Sequence, residues 1–200
     1  MAKRGDRGGS KTRAHIAAVA TELFVARGFD DVTVAEIAAA AGVSKVTVFS
    51  HFERKEDLAL DRLPDAVGIA RAAIRERPDD VGVVEAFRRT TLALAEERHP
   101  LSGLSQAGEP LARTVAGSRA LISRLREFEH EIEAELADEL ESDTRFTGDS
   151  ELVAALIVAA YRTVAVATTR RRLAGDDLDA VATAHCERLN TAFNALAAVL

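Results

Sequence analysis

Tryptophan is absent from this 200-residue chain, and cysteine and methionine occur once each. A single cysteine, Cys186, cannot close an internal disulfide, so the chain is not a secreted scaffold held by cross-links. Proline occurs only four times, which leaves long stretches free of helix breakers. Aromatic residues make up 4%, so whatever core forms is mostly aliphatic. The opening MAKRGDRGGS has charges but no apolar stretch behind them, so it lacks the pattern of a signal peptide. The most apolar run, 152–169, is broken by Tyr161 and Arg162 and is rich in alanine. It reads as a buried or interfacial helix rather than a membrane span of about 20 predominantly apolar residues. The expected compartment is the cytoplasm.

What is present favours an all-α chain. Hydrophobic residues reach 48%, enough for a sizeable core, and Ala, Leu, Glu and Arg recur throughout. The formal charge is −6, yet Lys3, Arg4, Arg7, Lys11 and Arg13 face only Asp6 at the amino end. A basic tip on an acidic body fits a protein that grips a polyanion through one end.

Apolar spacing then sets the expected elements. Residues 1–9 read as a flexible basic arm. A helix follows from about 10 to 27, with Ile16, Val19, Ala20, Leu23 and Phe24 on one stripe, and Gly28 closes it. Thr33 and Glu36 form a capping box that starts a second helix. Gly42 supplies the turn, and Ser44 caps a third helix running to about His51. A fourth begins near Arg54, and Pro64 should kink or divide it. Further helices are expected at 65–77, 81–98, 101–115, 118–141, 150–173 and 177–198, for a protein of about nine helices in all. The domain reading is 10–58 for a helix-turn-helix head and 59–200 for a helical bundle. The last two helices are apolar enough to pack against their copies in a homodimer.

The stretch T-V-x-x-I-A-x-x-A-G followed by G-V-S-K-x-T-x-F-x-x-F-x-x-K-E-D-L, within residues 10–60, resembles the DNA-binding domain of the TetR (tetracycline-repressor) family. That resemblance implies a TetR-like fold: an amino-terminal helix-turn-helix domain and a carboxyl-terminal bundle for ligand binding and dimerisation. It implies no enzyme and no cofactor. The expected function is a transcription regulator, a repressor that binds a palindromic operator in double-stranded DNA and is released by a small apolar or amphipathic effector. In this chain Val46 stands where the family usually has a small residue, Phe49 where it has a tyrosine, and Arg54 where it often has a serine-like cap.

The physics of DNA reading selects the same segment. A helix in the major groove meets base edges with its outward side chains. The DNA candidates are Ser44, Lys45, Val46, Thr47, Phe49, Ser50 and His51. Lys45 suits a guanine edge or a phosphate; Val46 and Thr47 suit a thymine methyl. Thr33 is expected to offer a phosphate its hydroxyl and N–H. His51 and Lys55 resemble family positions that touch phosphates, and Arg4, Arg7, Lys11 and Arg13 are expected along the backbone or in the minor groove.

For the effector, the candidate wall is Phe87, Leu94, Leu101, Leu104, Leu111, Leu121, Leu125, Phe128 and Leu156, with His99, Tyr161 and Arg162 as polar anchors. Ligand is expected to push the fourth helix and spread the two DNA heads. Arg170, Arg171 and Arg172 are expected to complement a helix carboxyl end, although that segment faintly resembles family members that bind fatty acyl-CoA. Two E-x-x-H pairs, Glu96/His99 and Glu127/His130, with Glu131 and Glu135, carry the alternative of a di-metal carboxylate bundle. Acid-rich helices produce such pairs easily, and no metal site is assigned. No hydrolase, P-loop or dinucleotide fingerprint occurs.

Overall fold

The structure is a computed structural model describing residues 4–199, with side chains described from residue 9 onward. Among the described residues there are ten α-helices and no strand: α1 (Arg4–Arg27), α2 (Val34–Ala40), α3 (Lys45–His51), α4 (Lys55–Ala59), α5 (Leu63–Arg75), α6 (Val83–Glu96), α7 (Glu109–Gly117), α8 (Arg119–Glu141), α9 (Ser150–Leu173) and α10 (Leu178–Val199). They form two compact units. The first is Met1–Asp61 with Pro110–Leu125; the second is Arg62–Glu109 with Arg126–Leu200. The first unit thus includes a segment from the middle of the chain, which the reading of 59–200 as one domain did not foresee.

The first unit closes around Ile16, Ala20, Phe24, Phe29, Ile37, Val48, Phe52 and Leu58, all buried. Leu121 of α8 completes this core, and Leu111 and Val115 of α7 pack against it. Arg124, one turn beyond Leu121, donates to the Asp57 carboxylate at 2.8 Å. Helix α1 starts at Arg4, where an arm was expected. Once its later turns exist, each added residue costs little to order.

Pro64 sits in the first turn of α5, where its missing N–H costs nothing. The chain therefore divides there instead of kinking. The second unit is built on Phe87, Leu136, Leu140, Ile157, Leu189 and Phe193, among others. Helix α9 is long and apolar enough to cross a membrane by composition. Here Val153, Ala154, Ile157, Val158 and Val164 place it in the core. Buried Arg77 pairs with Asp143 and donates to the Ile74 carbonyl at 2.8 Å. Arg145 reaches the same carbonyl at 3.0 Å, so two guanidinium groups stop α5. Hydrogen bonds from Arg145, with Arg77 beside it, hold the Asp143 carboxyl well below the usual carboxylate range.

The helix expected at 101–115 is two short 3-10 turns, Pro100–Ser102 and Gln106–Gly108, followed by α7. Gly103 takes φ +73°, which ends the first turn. Nearby carbonyls bond to side chains instead of helical N–H groups. Arg172 donates to Gly103 and Ser105 at 2.8 and 2.6 Å, and Tyr161 donates to Leu101 at 2.8 Å.

Candidate nucleic-acid interface

Local chemistry fixes both ends of the turn between α2 and α3. At the start of α2, the Thr33 N–H and hydroxyl each donate to Glu36 Oε2 at 2.8 Å, and the Glu36 N–H returns to Thr33 Oγ1 at 3.3 Å. The Thr33 backbone N–H, then its hydroxyl and Arg27, draw the Glu36 carboxyl down from 4.5 to about 2. Gly42 has φ +67°, a region closed to most side chains, and this bends the chain between the helices. Ser44 then caps α3, accepting from the Thr47 N–H at 3.0 Å.

Helix α3 is two-sided as a result. Val48 and the following Phe52 point into the core at 1% and 2% exposure. Lys45, Val46, Phe49 and Ser50 face solvent, with Val46 79% and Phe49 53% exposed. His51 is half-buried. Thr47, expected to be exposed, is half-buried as well, and its hydroxyl lies 2.8 Å from the Ser44 hydroxyl. Lys11 is exposed on α1. The side chains of Arg4 and Arg7 lie outside the described residues.

Three side chains expected on phosphates are occupied within the protein. Thr33 has both donors committed to Glu36. Lys55 donates to the Phe29 carbonyl at 2.6 Å and lies over the Phe29 ring at 4.2 Å. Arg13 donates to the His51 carbonyl and stacks over Phe52 at 4.0 Å. Sequence spacing does not reveal these bonds, since 26 and 38 residues separate donor from acceptor.

The expected effector wall does not converge. Phe87 is in the core of the second unit, and Leu156 and Tyr161 pack against it. Leu104 belongs to a separate small cluster with Ala95 and Val181. Leu111 and Leu121 serve the first unit, drawn there by an apolar core that α1 to α4 leave incomplete. Leu94, Leu101, Leu125 and Phe128 are half-buried.

The three polar anchors are engaged within the protein. His99 Nδ1 accepts from the Leu101 N–H at 3.2 Å, Arg162 pairs with Glu129 at 3.1 Å, and Tyr161 holds Leu101. Burial pushes the Tyr161 phenol up to about 12. Arg172, expected at a solvated helix end, is buried and pins the 103–105 segment. A cavity of about 220 Å³ in the second unit is lined by Ile74, Arg75, Glu139, Ser142, Asp143, Thr144 and Arg145, none of them in the expected wall. Among the described residues, no group of three His, Cys, Asp or Glu side chains could hold a metal ion. Exposed His130 instead meets Glu133 at 3.3 Å.

Residues 16–61 match the model of the family described as bacterial regulatory proteins, tetR family. Over 180 residues, 87% of this chain and 79% of the relative, the chain is 28% identical to the HTH-type transcriptional regulator TcmR of Streptomyces glaucescens. In fold it is similar to a TetR-family regulator from Streptomyces coelicolor A3, with TM-score 0.58 and 24% identity over 92% of this chain and 96% of that one. It is also similar to NalD, the secondary repressor of the MexAB-OprM multidrug efflux pump in Pseudomonas aeruginosa. That match has TM-score 0.55 and 17% identity over 93% of this chain and 97% of that one.

A capped two-helix turn presenting one open face, on a chain whose relatives are transcriptional regulators, marks this protein as a DNA-binding regulator. Residues 16–61 form the domain that the tetR family model describes, and the chain as a whole is similar in fold to TetR-family regulators.

Proposed function

We propose that the protein is a repressor that binds a palindromic operator as a homodimer and leaves it when a small apolar or amphipathic molecule binds. The observation that carries this reading is the outer face of α3. Two large apolar side chains, Val46 and Phe49, stand in solvent beside Lys45 and Ser50. Folding gains nothing from exposing them. Against a duplex, Val46 meets a thymine methyl, Lys45 reaches a guanine edge or a phosphate, and Phe49 packs on the backbone it cannot hydrogen-bond. His51, Ser44 and Lys11 border the face.

Dimerisation through α9 and α10 has support from exposed Leu152 and Val166 on α9 and Val199 on α10, where water gains nothing from meeting them. Two copies then address half-sites about 10 bp apart, or a multiple of that. For the effector, the surviving candidates are Phe87, Leu156 and Tyr161, which share one core. Release requires the ligand to bind the DNA-incompetent state more tightly. A difference of about 1–3 kcal/mol weakens DNA binding by roughly 5–150-fold.

The test is selection of duplexes from a random pool by the intact protein, followed by gel shift and sedimentation. Enrichment of an inverted repeat bound by two chains is the expected result. A protein that enriches no sequence, or binds as a monomer, ends the reading. A panel of amphipathic metabolites then tests release, and operator binding that none of them weakens removes the effector.

A further inference from the structure

We propose that Arg13 is a positioning residue for DNA reading: it fixes the carboxyl end of α3 and does not itself touch the duplex. The proposal rests on the reading of α3 as the recognition helix. Helix α3 has only seven residues, too few to be stable alone. Its amino end is held by the Ser44 cap and its inner side by Val48. Its carboxyl end has carbonyls with no helical partner, because the chain turns extended at Phe52.

Arg13 meets that end twice. Its guanidinium donates to the carbonyl of His51, the last residue of α3, and lies 4.0 Å from the centroid of the Phe52 ring. The two contacts suit arginine, whose flat cation stacks on a ring while its N–H groups donate in plane. Its charge also complements the carboxyl end of the helix. The start of α1 passes close by, since a Cβ on Gly9 would stand 3.9 Å from His51 Cε1.

The lever is short but sufficient. A seven-residue helix is roughly 10 Å long at 1.5 Å per residue, so a tilt of about 10° about its capped end moves Ser50 by roughly 1.5 Å. A hydrogen bond from Ser50 to a base edge does not survive such a shift. Random DNA, held through phosphates, tolerates it.

The experiment compares a duplex enriched by the wild-type protein with a random duplex of equal length, across a series of salt concentrations. Arg13→Ala is expected to weaken the enriched duplex by about tenfold, the scale of one misaligned base contact, while random-duplex affinity and the log–log salt slope stay as in the wild type. Partial unfolding scales both affinities together, so the ratio of the two isolates positioning from stability. If Arg13→Ala does not fold, Arg13→Lys gives the reading. It keeps the charge and loses the flat group, so the ratio is expected to fall with the slope unchanged.

A salt slope smaller by about one unit, with both affinities reduced together, would mean a phosphate contact and overturns the proposal. So does an unchanged ratio in Arg13→Ala, or a wild-type ratio in Arg13→Lys. A wild-type protein that enriches no sequence fails earlier, and there the DNA reading itself falls.

Discussion

Leu121 gives the sharpest test of how the first unit is built. It lies on α8, 63 residues beyond Leu58 in the chain, yet it is fully buried in the core made by α1 to α4. Leu121→Ala deletes a buried side chain that its neighbours can replace only in part. Such losses cost about 2–5 kcal/mol, transfer and cavity together. Against a typical stability of about 5–15 kcal/mol, that is a large fraction.

Because the chain forms two units, a single unfolding midpoint is a blunt readout. Hydrogen exchange resolved by helix is better. Amides of α1 that open with the first unit should exchange at least about 30-fold faster in Leu121→Ala, since roughly 1.4 kcal/mol is tenfold and 2 kcal/mol is the smallest loss expected. Amides of α6 and α10 should keep their wild-type rates. Leu125→Ala, one turn further and half-buried, should cost about 1 kcal/mol or less, as for a side chain outside the core. Unchanged exchange in α1 would refute the reasoning. It would return Leu121 to an effector wall, where truncation merely enlarges an opening.

Further outcomes follow from individual groups. The Glu36 carboxyl is drawn from 4.5 to about 2, so its contribution is complete above pH 4.5 and is lost as pH falls toward 2. Glu36→Gln should flatten the acid limb of the melting curve in that window, and overlapping limbs would contradict the capping account. Buried His185 bonds Thr168 at 2.7 Å, and burial holds its imidazole below the ordinary 6.5. The folded protein disfavours the added proton, so stability is full above pH 6.5 and declines below it. His185→Leu should reduce that decline, which a pH series of urea midpoints will show or exclude. Lys45→Ala with Val46→Ala should change stability by no more than about 0.5 kcal/mol, both side chains being exposed, while abolishing enrichment of a preferred duplex. Enrichment of the wild-type sequence by this variant would remove α3 from the interface.

The parts of the fold legible from residue order are those that neighbours decide. Thr33 with Glu36, Gly42 and Ser44 act within three or four positions of themselves, and each sits where its chemistry predicts. Helix α9 spans 150–173 as its periodicity predicts, because one apolar pattern runs between two loops without interruption. The 101–115 stretch misled because its periodicity is helical while its backbone bonds are satisfied from α9, through Arg172 and Tyr161. The internal partners of Arg13 and Lys55 were hidden for the same reason. Residue order shows a basic residue near a reading head and not the ring and carbonyl from elsewhere in the chain that stand beside it. Leu111 and Leu121 carried no signal at all, since an apolar face does not record which core it will enter.

The inward turn of Arg13 bears on how such a protein searches a chromosome. A guanidinium that steadies α3 from within, as proposed for Arg13, makes no phosphate contact of its own and so releases no counterion there when the protein lands on arbitrary sequence. Fewer molecules are then stranded on the vast excess of irrelevant base pairs.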